Sequence, residues 1–144
     1  GVAGWMLSFG AAFGIGWRLF WGVRTDTMAS RPYTMAAGLA ALGSIGMLGL
    51  AKGTAGIHVL STFLAFGAGW VWPVFTNFGI MRANGDASGA ASGVTQMGIY
   101  LGVFAGPLAT GWMIDEHGFG AMWLLVGASM LIGSALTFWI RNEF

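Results

Sequence analysis

The sequence contains no cysteine and very little charge. Without cysteine the chain has no disulfide, no thiolate metal ligand and no cysteine nucleophile. Only 8% of its 144 residues are charged, whereas an average soluble domain carries about 25%. Six basic and five acidic side chains are too few to cover a water-soluble particle of this size. The net charge of +1 provides no electrostatic footprint for nucleic acid, so we expect no nucleic-acid partner.

Apolar residues and glycine make up most of what is present. Hydrophobic residues account for 56% of the chain, and a further 26 residues are glycine. This composition excludes disorder, which requires high charge and low hydrophobicity. The chain also starts on Gly1 and is apolar from its first residue, without a basic leader. We therefore expect a part of an integral membrane protein embedded in a lipid bilayer.

The few charges fall in clusters that separate long apolar runs. A membrane-spanning helix needs about 20 mainly apolar residues, and five runs of this kind are present. The sequence predicts an all-α fold, a polytopic helical membrane protein. Its expected spans are residues 1–23, 33–51, 57–81, 89–114 and 119–140.

The distribution of basic residues predicts an orientation in the membrane. If five spans alternate in direction, one side receives the loops with Arg24, Arg31 and Arg82 and also the C-terminus with Arg141. The other side receives only Lys52. Because basic loops stay in the cytoplasm, the C-terminus is predicted to be cytoplasmic, in a cell (inner or plasma) membrane.

The fourth span carries two different stripes. Gly98, Gly102 and Gly106 recur every four residues, and small residues at this spacing allow helices to pack closely in lipid. Gln96 and Tyr100 lie on roughly the opposite face. We interpret the glycine stripe as a helix-packing surface and the polar stripe as a candidate cavity lining. The alternative is that Gln96 only bonds a neighbouring helix.

The third span combines aromatic rings with a proline. Phe66, Trp70, Pro73 and Asn77 have spacings that place them on one helical face. Because Pro73 cannot donate a hydrogen bond to the carbonyl of Gly69, a kink is expected there. Tryptophan beside a broken backbone in mid-membrane is typical of a cavity wall. Phe66, Trp70 and Asn77 are therefore cavity candidates, with core packing as the alternative.

Arg18 is the one charge inside a predicted span. An intramembrane charge is by default a functional hypothesis, which makes Arg18 a possible charge partner within the membrane. It lies only six residues before Arg24, however, so snorkelling to the headgroups or an ion pair with Asp26 is the alternative.

Residues for enzyme chemistry are missing. Asp115 and Glu116 are adjacent and so do not face one substrate as an acid–base pair. His58 and His117 lack a second ligand at metal spacing, and the sequence has no nucleophile–base set or phosphate-binding loop. We expect no catalytic residues, no metal, no cofactor and no enzymatic activity.

Two segments carry a resemblance to a known family. The loop from Gly22 to Arg31 resembles the major facilitator superfamily signature G-x-x-x-D-R-x-G-R-R; Gly22, Asp26 and Arg31 match in spacing, whereas Thr27, Ala29 and Ser30 depart from it. The stretch "SGVTQMGIYLGVFAGPLATGWMIDEHG" resembles the eleventh helix of that superfamily.

The resemblance implies a place for the five spans in a larger bundle. They would correspond to helices eight to twelve of a twelve-helix transporter, so the missing N-terminal half of the same transporter would be a partner. Gly22, Asp26 and Arg31 would form a gating motif that clamps a helix of the other half in one conformation and releases it in the other.

The function implied by the resemblance is secondary active transport of a small organic solute by alternating access. Arg18-x-x-x-Gly22-x-x-x-Asp26 and the segment "GWVWPVFTNFGIMRANGDASGAASGVTQMG" look like bacterial members related to cyanate, monocarboxylate or drug permeases. The alternative is a non-transporting membrane scaffold or assembly subunit, in which the glycine faces and Trp70 serve only packing.

Overall fold

The described part of the chain folds into α-helices joined by short connections. The computed structural model describes residues 1–28 and 31–141, and of residues 26–28 only the backbone. Its helices are α1 (Val2–Met28), α2 (Pro32–Lys52), α3 (Ala55–Gly67), α4 (Trp72–Ala83) and α5 (Ser88–Ile140), with a 3-10 turn at Gly85–Ala87. No strand occurs within these described ranges, so the predicted all-α fold is confirmed.

Helix α2 is the centre of the bundle and runs antiparallel to α3. Gly43 lies against the backbone of Gly69, Gly46 against Ala65, and Gly49 against Ser61. A Cβ at Gly43 would overlap backbone atoms of Gly69, so the two chains approach more closely here than any side chain would allow. Glycine therefore sets the distance between these helices, as expected for packing in lipid.

Helix α1 runs parallel to α3 and α4. Gly10 lies against Thr62 in the second half of α3, and Gly67 at the end of α3 lies against the Phe13 ring. Further along, Trp21 packs against Phe75 of α4, with ring centroids 5.4 Å apart. In these pairs, residues later in α1 contact residues later in α3 and α4, so the helices run in the same direction. The fully buried cluster of Ala36, Val71 and Phe75 lies where α2, the turn before α4 and α4 meet, and Trp17 and Trp21 cover it.

Helix α5 consists of two arms that meet at Gly118. This residue has φ 81° and ψ 174°, a conformation that only glycine adopts readily. The second arm (residues 119–140) runs antiparallel to α2. The Ser44 hydroxyl donates to the Gly127 carbonyl oxygen at 2.8 Å, and Ser134 donates to the Ala37 carbonyl oxygen at 2.7 Å. The first arm (residues 88–117) is mostly exposed.

Three stretches of the described chain are long and apolar enough to cross a membrane: Pro32–Lys52, Ala55–Ala83 and Gly85–Ile140. Helix α1, which contains Arg18, is not one of them. At 1.5 Å per residue, the two arms of α5 are about 45 and 33 Å long, so each alone is long enough to cross a hydrocarbon core of about 30 Å. The number of crossings, five by sequence, remains a prediction.

Two details of the predicted spans are corrected. The third span is interrupted earlier and more widely than by the kink expected at Pro73, because α3 ends at Gly67 and α4 begins at Trp72. Phe66 and Trp70 therefore do not share a helical face with Pro73 and Asn77. In addition, residues 115–117 continue the helix up to the break at Gly118 instead of forming a loop. The predicted turn at Asn84 and Gly85 is confirmed.

Candidate functional site

The break between α3 and α4 is the centre of the candidate site. The amides of Ala68 and Gly69 both donate to the Leu64 carbonyl oxygen, at 2.9 and 3.3 Å, and Val71 donates to the Ala68 carbonyl oxygen at 3.2 Å. Pro73, in the first turn of α4, has no amide hydrogen with which to continue the α-helical pattern. The broken backbone expected from Pro73 is thus present, a few residues before the proline itself.

Phe66 and Trp70 form an aromatic pair at this break. Their ring centroids are 5.1 Å apart at an interplanar angle of 52°. The Phe66 ring lies over Gly10 of α1, which leaves space for it. Trp70 is held by this contact and is nevertheless 44% exposed. The turn therefore presents an indole face that the rest of the described chain does not cover.

The polar candidates lie on two further elements. Asn77 is half-buried on α4, one helical turn beyond Pro73. Gln96 is half-buried and Tyr100 is 69% exposed, both on the first arm of α5. Within the described residues no hydrogen bond is formed by the side chains of these three residues. The structure brings Phe66 and Trp70 together, but shows no ring contact or hydrogen bond between them and Gln96 or Tyr100.

The glycine stripe of the first arm faces open space. A Cβ added at Gly98, Gly102 or Gly106 meets no atom of the described chain within 4 Å. Glycines on other parts of the described chain do make close contacts, for example Gly10 on α1, Gly43 on α2 and Gly127 on the second arm of α5. That Gly98, Gly102 and Gly106 form a packing surface remains a prediction, and its partner would have to lie outside the described residues.

The residues of the predicted gating motif lie around the end of α1. Gly22 is exposed, and Asp26 lies in the last turn of α1, although its side chain is outside the described part of the chain. Arg31 is exposed and precedes the first residue of α2, where its carbonyl oxygen accepts a hydrogen bond from the Met35 amide at 3.1 Å. Arg18 is also exposed, one helical turn before Gly22.

Sequence reasoning missed a row of aromatic rings along α1. Phe13 stacks on Trp17 at 6.0 Å between centroids, and Trp17 meets Trp21 edge-on at 5.8 Å. The row ends on Phe75, and the Trp21 indole nitrogen is buried without a hydrogen-bond partner in the described chain. The signal was available, because Trp5, Phe9, Phe13, Trp17 and Trp21 recur every four residues.

The site has no group suited to a metal ion. Among the described residues, no three His, Asp or Glu side chains lie close enough together to hold one. The aromatic pair, the uncommitted amides of Asn77 and Gln96, and the phenol of Tyr100 instead provide π-faces and hydrogen-bonding groups. Such a set can bind an organic molecule of low charge by stacking and by a few hydrogen bonds.

Comparison with known proteins gives a distant relationship. The chain is 27% identical over 125 residues to the "Multi-drug resistance efflux pump PmrA" of Streptococcus pneumoniae, in both serotype 4 strain TIGR4 and strain R6. The aligned region covers 86% of this chain and 31% of those proteins, so the chain spans about a third of the length of the relatives it matches. No family description and no solved structure matches it. Together with its apolar helices, this similarity supports at most a transporter-like, membrane-embedded helical protein.

Proposed function

We propose that this chain belongs to a secondary active transporter that moves a small organic solute across the membrane by alternating access. The observation that carries the proposal is the broken helix α3–α4, which presents the half-exposed Trp70 beside Phe66. Transporters typically bind their solutes near the middle of the membrane, at discontinuous helices of this kind. The similarity to an efflux pump over most of this chain supports the same class of function.

In this proposal the solute binds between the α3–α4 break and the first arm of α5. Phe66 and Trp70 supply apolar and π contacts, and Asn77 supplies an amide. Gln96 and Tyr100 add hydrogen-bonding groups from the arm that is exposed in this chain. A cavity with these groups and no carboxylate suits a weakly polar, drug-like solute or a small organic anion.

We further propose that the chain is part of a major facilitator superfamily transporter, with a missing N-terminal half as its partner. Gly22, Asp26 and Arg31 would then gate the change between conformations. The exposed first arm of α5 and its open glycines, including Gly102, are consistent with such a partner. The proposed orientation has the C-terminus in the cytoplasm, in the cell membrane.

Uptake and efflux measurements on the full-length protein test the proposal. The variants Trp70→Ala, Asn77→Ala and Gln96→Ala are compared in vesicles of both orientations, with ethidium and radiolabelled benzoate as probes. A lost contact worth about 1.4 kcal/mol lowers the transport rate about tenfold at low solute concentration. We expect this loss for Trp70→Ala with at least one probe, and smaller losses for the two amide variants.

The control is Trp139→Ala, which removes a tryptophan that is 77% exposed near the end of α5. It is expected to leave transport unchanged at equal expression. If all three cavity variants transport as the unmodified protein does, the cavity assignment is wrong. If the unmodified protein moves neither probe, nor any other solute of a chemically diverse panel, the scaffold or assembly-subunit alternative is favoured instead.

A further inference from the structure

We propose that Arg18 binds the phosphate of an anionic phospholipid, in a groove on the exposed side of α1. The groove has a volume of about 340 Å³. Its lining residues all come from two turns of one helix: Ile15, Arg18, Leu19, Gly22 and Val23. This lipid site is separate from the proposed solute cavity, but it shares Gly22 with the proposed gating motif.

The groove lies away from the surface that α1 uses for packing. Gly10 and Gly14 approach α3, and Trp21 packs against α4. The groove residues follow the spacing of a different helical face, and their side chains remain open: Leu19 is 68% exposed and Val23 is 81% exposed. In a membrane, such a face meets lipid unless another helix covers it.

Among the described side chains, which do not include that of Asp26, Arg18 has no partner. No ion pair, hydrogen bond or ring contact joins its guanidinium to them. The contrast with Arg24 is clear, because the Arg24 guanidinium lies over the Phe20 ring at 5.2 Å. An arginine beside apolar surface within a membrane is costly unless an anion satisfies it. A guanidinium matches a phosphate especially well, since it donates two parallel hydrogen bonds.

The residues that line the groove favour a lipid over other anions. Gly22 has no side chain, and an added Cβ would meet nothing within 4 Å, so space is open one turn beyond Arg18 for a headgroup. Ile15, Leu19 and Val23 provide apolar surface on either side. One cation flanked by exposed aliphatic side chains complements a molecule with an anionic head and hydrocarbon tails. A carboxylate on another helix would pair with the Arg18 guanidinium but would make no use of the apolar side chains beside it.

Lipid titration of the full-length protein tests this assignment. The protein is placed in phosphatidylcholine nanodiscs with increasing phosphatidylglycerol, and bound phosphatidylglycerol is counted by native mass spectrometry. Arg18→Gln is expected to weaken phosphatidylglycerol binding about fivefold, the amount expected from one basic side chain near a phosphate. Arg18→Lys is expected to retain most of the binding. Lys52→Gln, which removes an exposed charge from α2, is the matched control and is expected to bind as the unmodified protein does.

A second variant tests the groove without changing the charge. Gly22→Leu fills the open space, and we expect it to reduce phosphatidylglycerol binding by at least as much as Arg18→Gln. Inorganic phosphate and glycerol phosphate are added in separate arms. If they displace the lipid fully at equal concentration, the site is a free-phosphate site and the lipid assignment is overturned. Unchanged binding in both Arg18→Gln and Gly22→Leu, or an equal loss in Lys52→Gln, also overturns it.

Discussion

Two buried serines connect α2 to the second arm of α5 at the level of single residues. Ser44 on α2 donates to α5, and Ser134 on α5 donates back to α2, so each helix supplies one donor and one acceptor. The accepting carbonyl groups, at Gly127 and Ala37, lie within helices and can also accept from their own backbone. If either hydroxyl is lost, the carbonyl still has a backbone donor. The expected decrease in the free energy of unfolding is therefore small.

We expect Ser44→Ala and Ser134→Ala each to lower the free energy of unfolding by about 0.5–1 kcal/mol, close to the average for hydrogen bonds between membrane helices. Ser129→Ala is the control, because the Ser129 hydroxyl is exposed and bonds only within its own helix. Unfolding in mixed detergent micelles measures the differences. A loss in Ser129→Ala equal to that in the other two would contradict the assignment of the stabilisation to the bonds between helices.

Single residues also show what periodicity can and cannot predict. The spacing of Trp17 and Trp21 indicates one aromatic face of α1, yet only the structure identifies Phe75 as the ring that this face meets. Likewise, Gln96 and Tyr100 are correctly placed on one helix by their spacing. Their partners depend on contacts between distant parts of the chain, about which local sequence carries no information.

At the scale of helices, the approach of α2 to α3 depends on the glycines of α2. Gly46 and Gly49 face α3 and Gly43 faces Gly69 just after it, whereas Gly38 on the same helix faces nothing within 4 Å. In hydrocarbon, burial of apolar surface drives no association, so the van der Waals contact made possible by this close approach is a main source of stability. Helix α2 therefore contains glycines at which an added side chain would disturb packing and a glycine at which it would not.

The variant Gly43→Ala is expected to destabilise the protein by about 1–3 kcal/mol, the usual cost of forcing extra volume into a packed interface. Gly38→Ala is expected to be neutral or stabilising by up to about 1 kcal/mol, because alanine favours the helix over glycine. Thermal unfolding of the purified protein compares the two variants. Equal unfolding midpoints would show that the contact between Gly43 and Gly69 does not limit how closely α2 and α3 approach.

The helices themselves could be predicted from sequence to a large extent, but their breaks and partners could not. Apolar runs and the Asn84–Gly85 turn define most helix ends. Pro73 predicts a break, but the chain unwinds before it, since Gly67 and Gly69 let α3 stop early against α1 and α2. The helical continuation up to Gly118 was also not foreseen, because an acidic turn and a helical end have similar composition. The spacing of the glycines on the first arm of α5 indicates a packing face, but it does not indicate which element packs there.

At the scale of the whole molecule, the directions of the helices are consistent with the predicted topology. Helix α1 is parallel to α3 and α4, and α2 is antiparallel both to α3 and to the second arm of α5. This is the pattern expected if each apolar run crosses the membrane in the direction opposite to the run before it. The side on which each loop lies is still a prediction from the basic residues.

Single cysteines can test the orientation without interference from this chain, which has no thiol of its own. We expect Lys52→Cys and Asp115→Cys to react with a membrane-impermeant maleimide added outside intact cells. Arg82→Cys is expected to react only after the membrane is permeabilised. Labelling of Arg82→Cys and Asp115→Cys from the same side would show that residues 85–117 do not cross, and would reduce the number of spans.

The parallel contact of α1 with α3 and α4 also determines an order of assembly during synthesis. A growing chain lengthens by about 5–20 residues per second, and the residues that α1 contacts follow only after all of α2. For a few seconds, α1 is therefore without the helices that it contacts in this structure, and its own backbone hydrogen bonds make this tolerable in a bilayer. The hairpin of α2 and α3 forms as its second helix inserts, and α1 then docks sideways onto it.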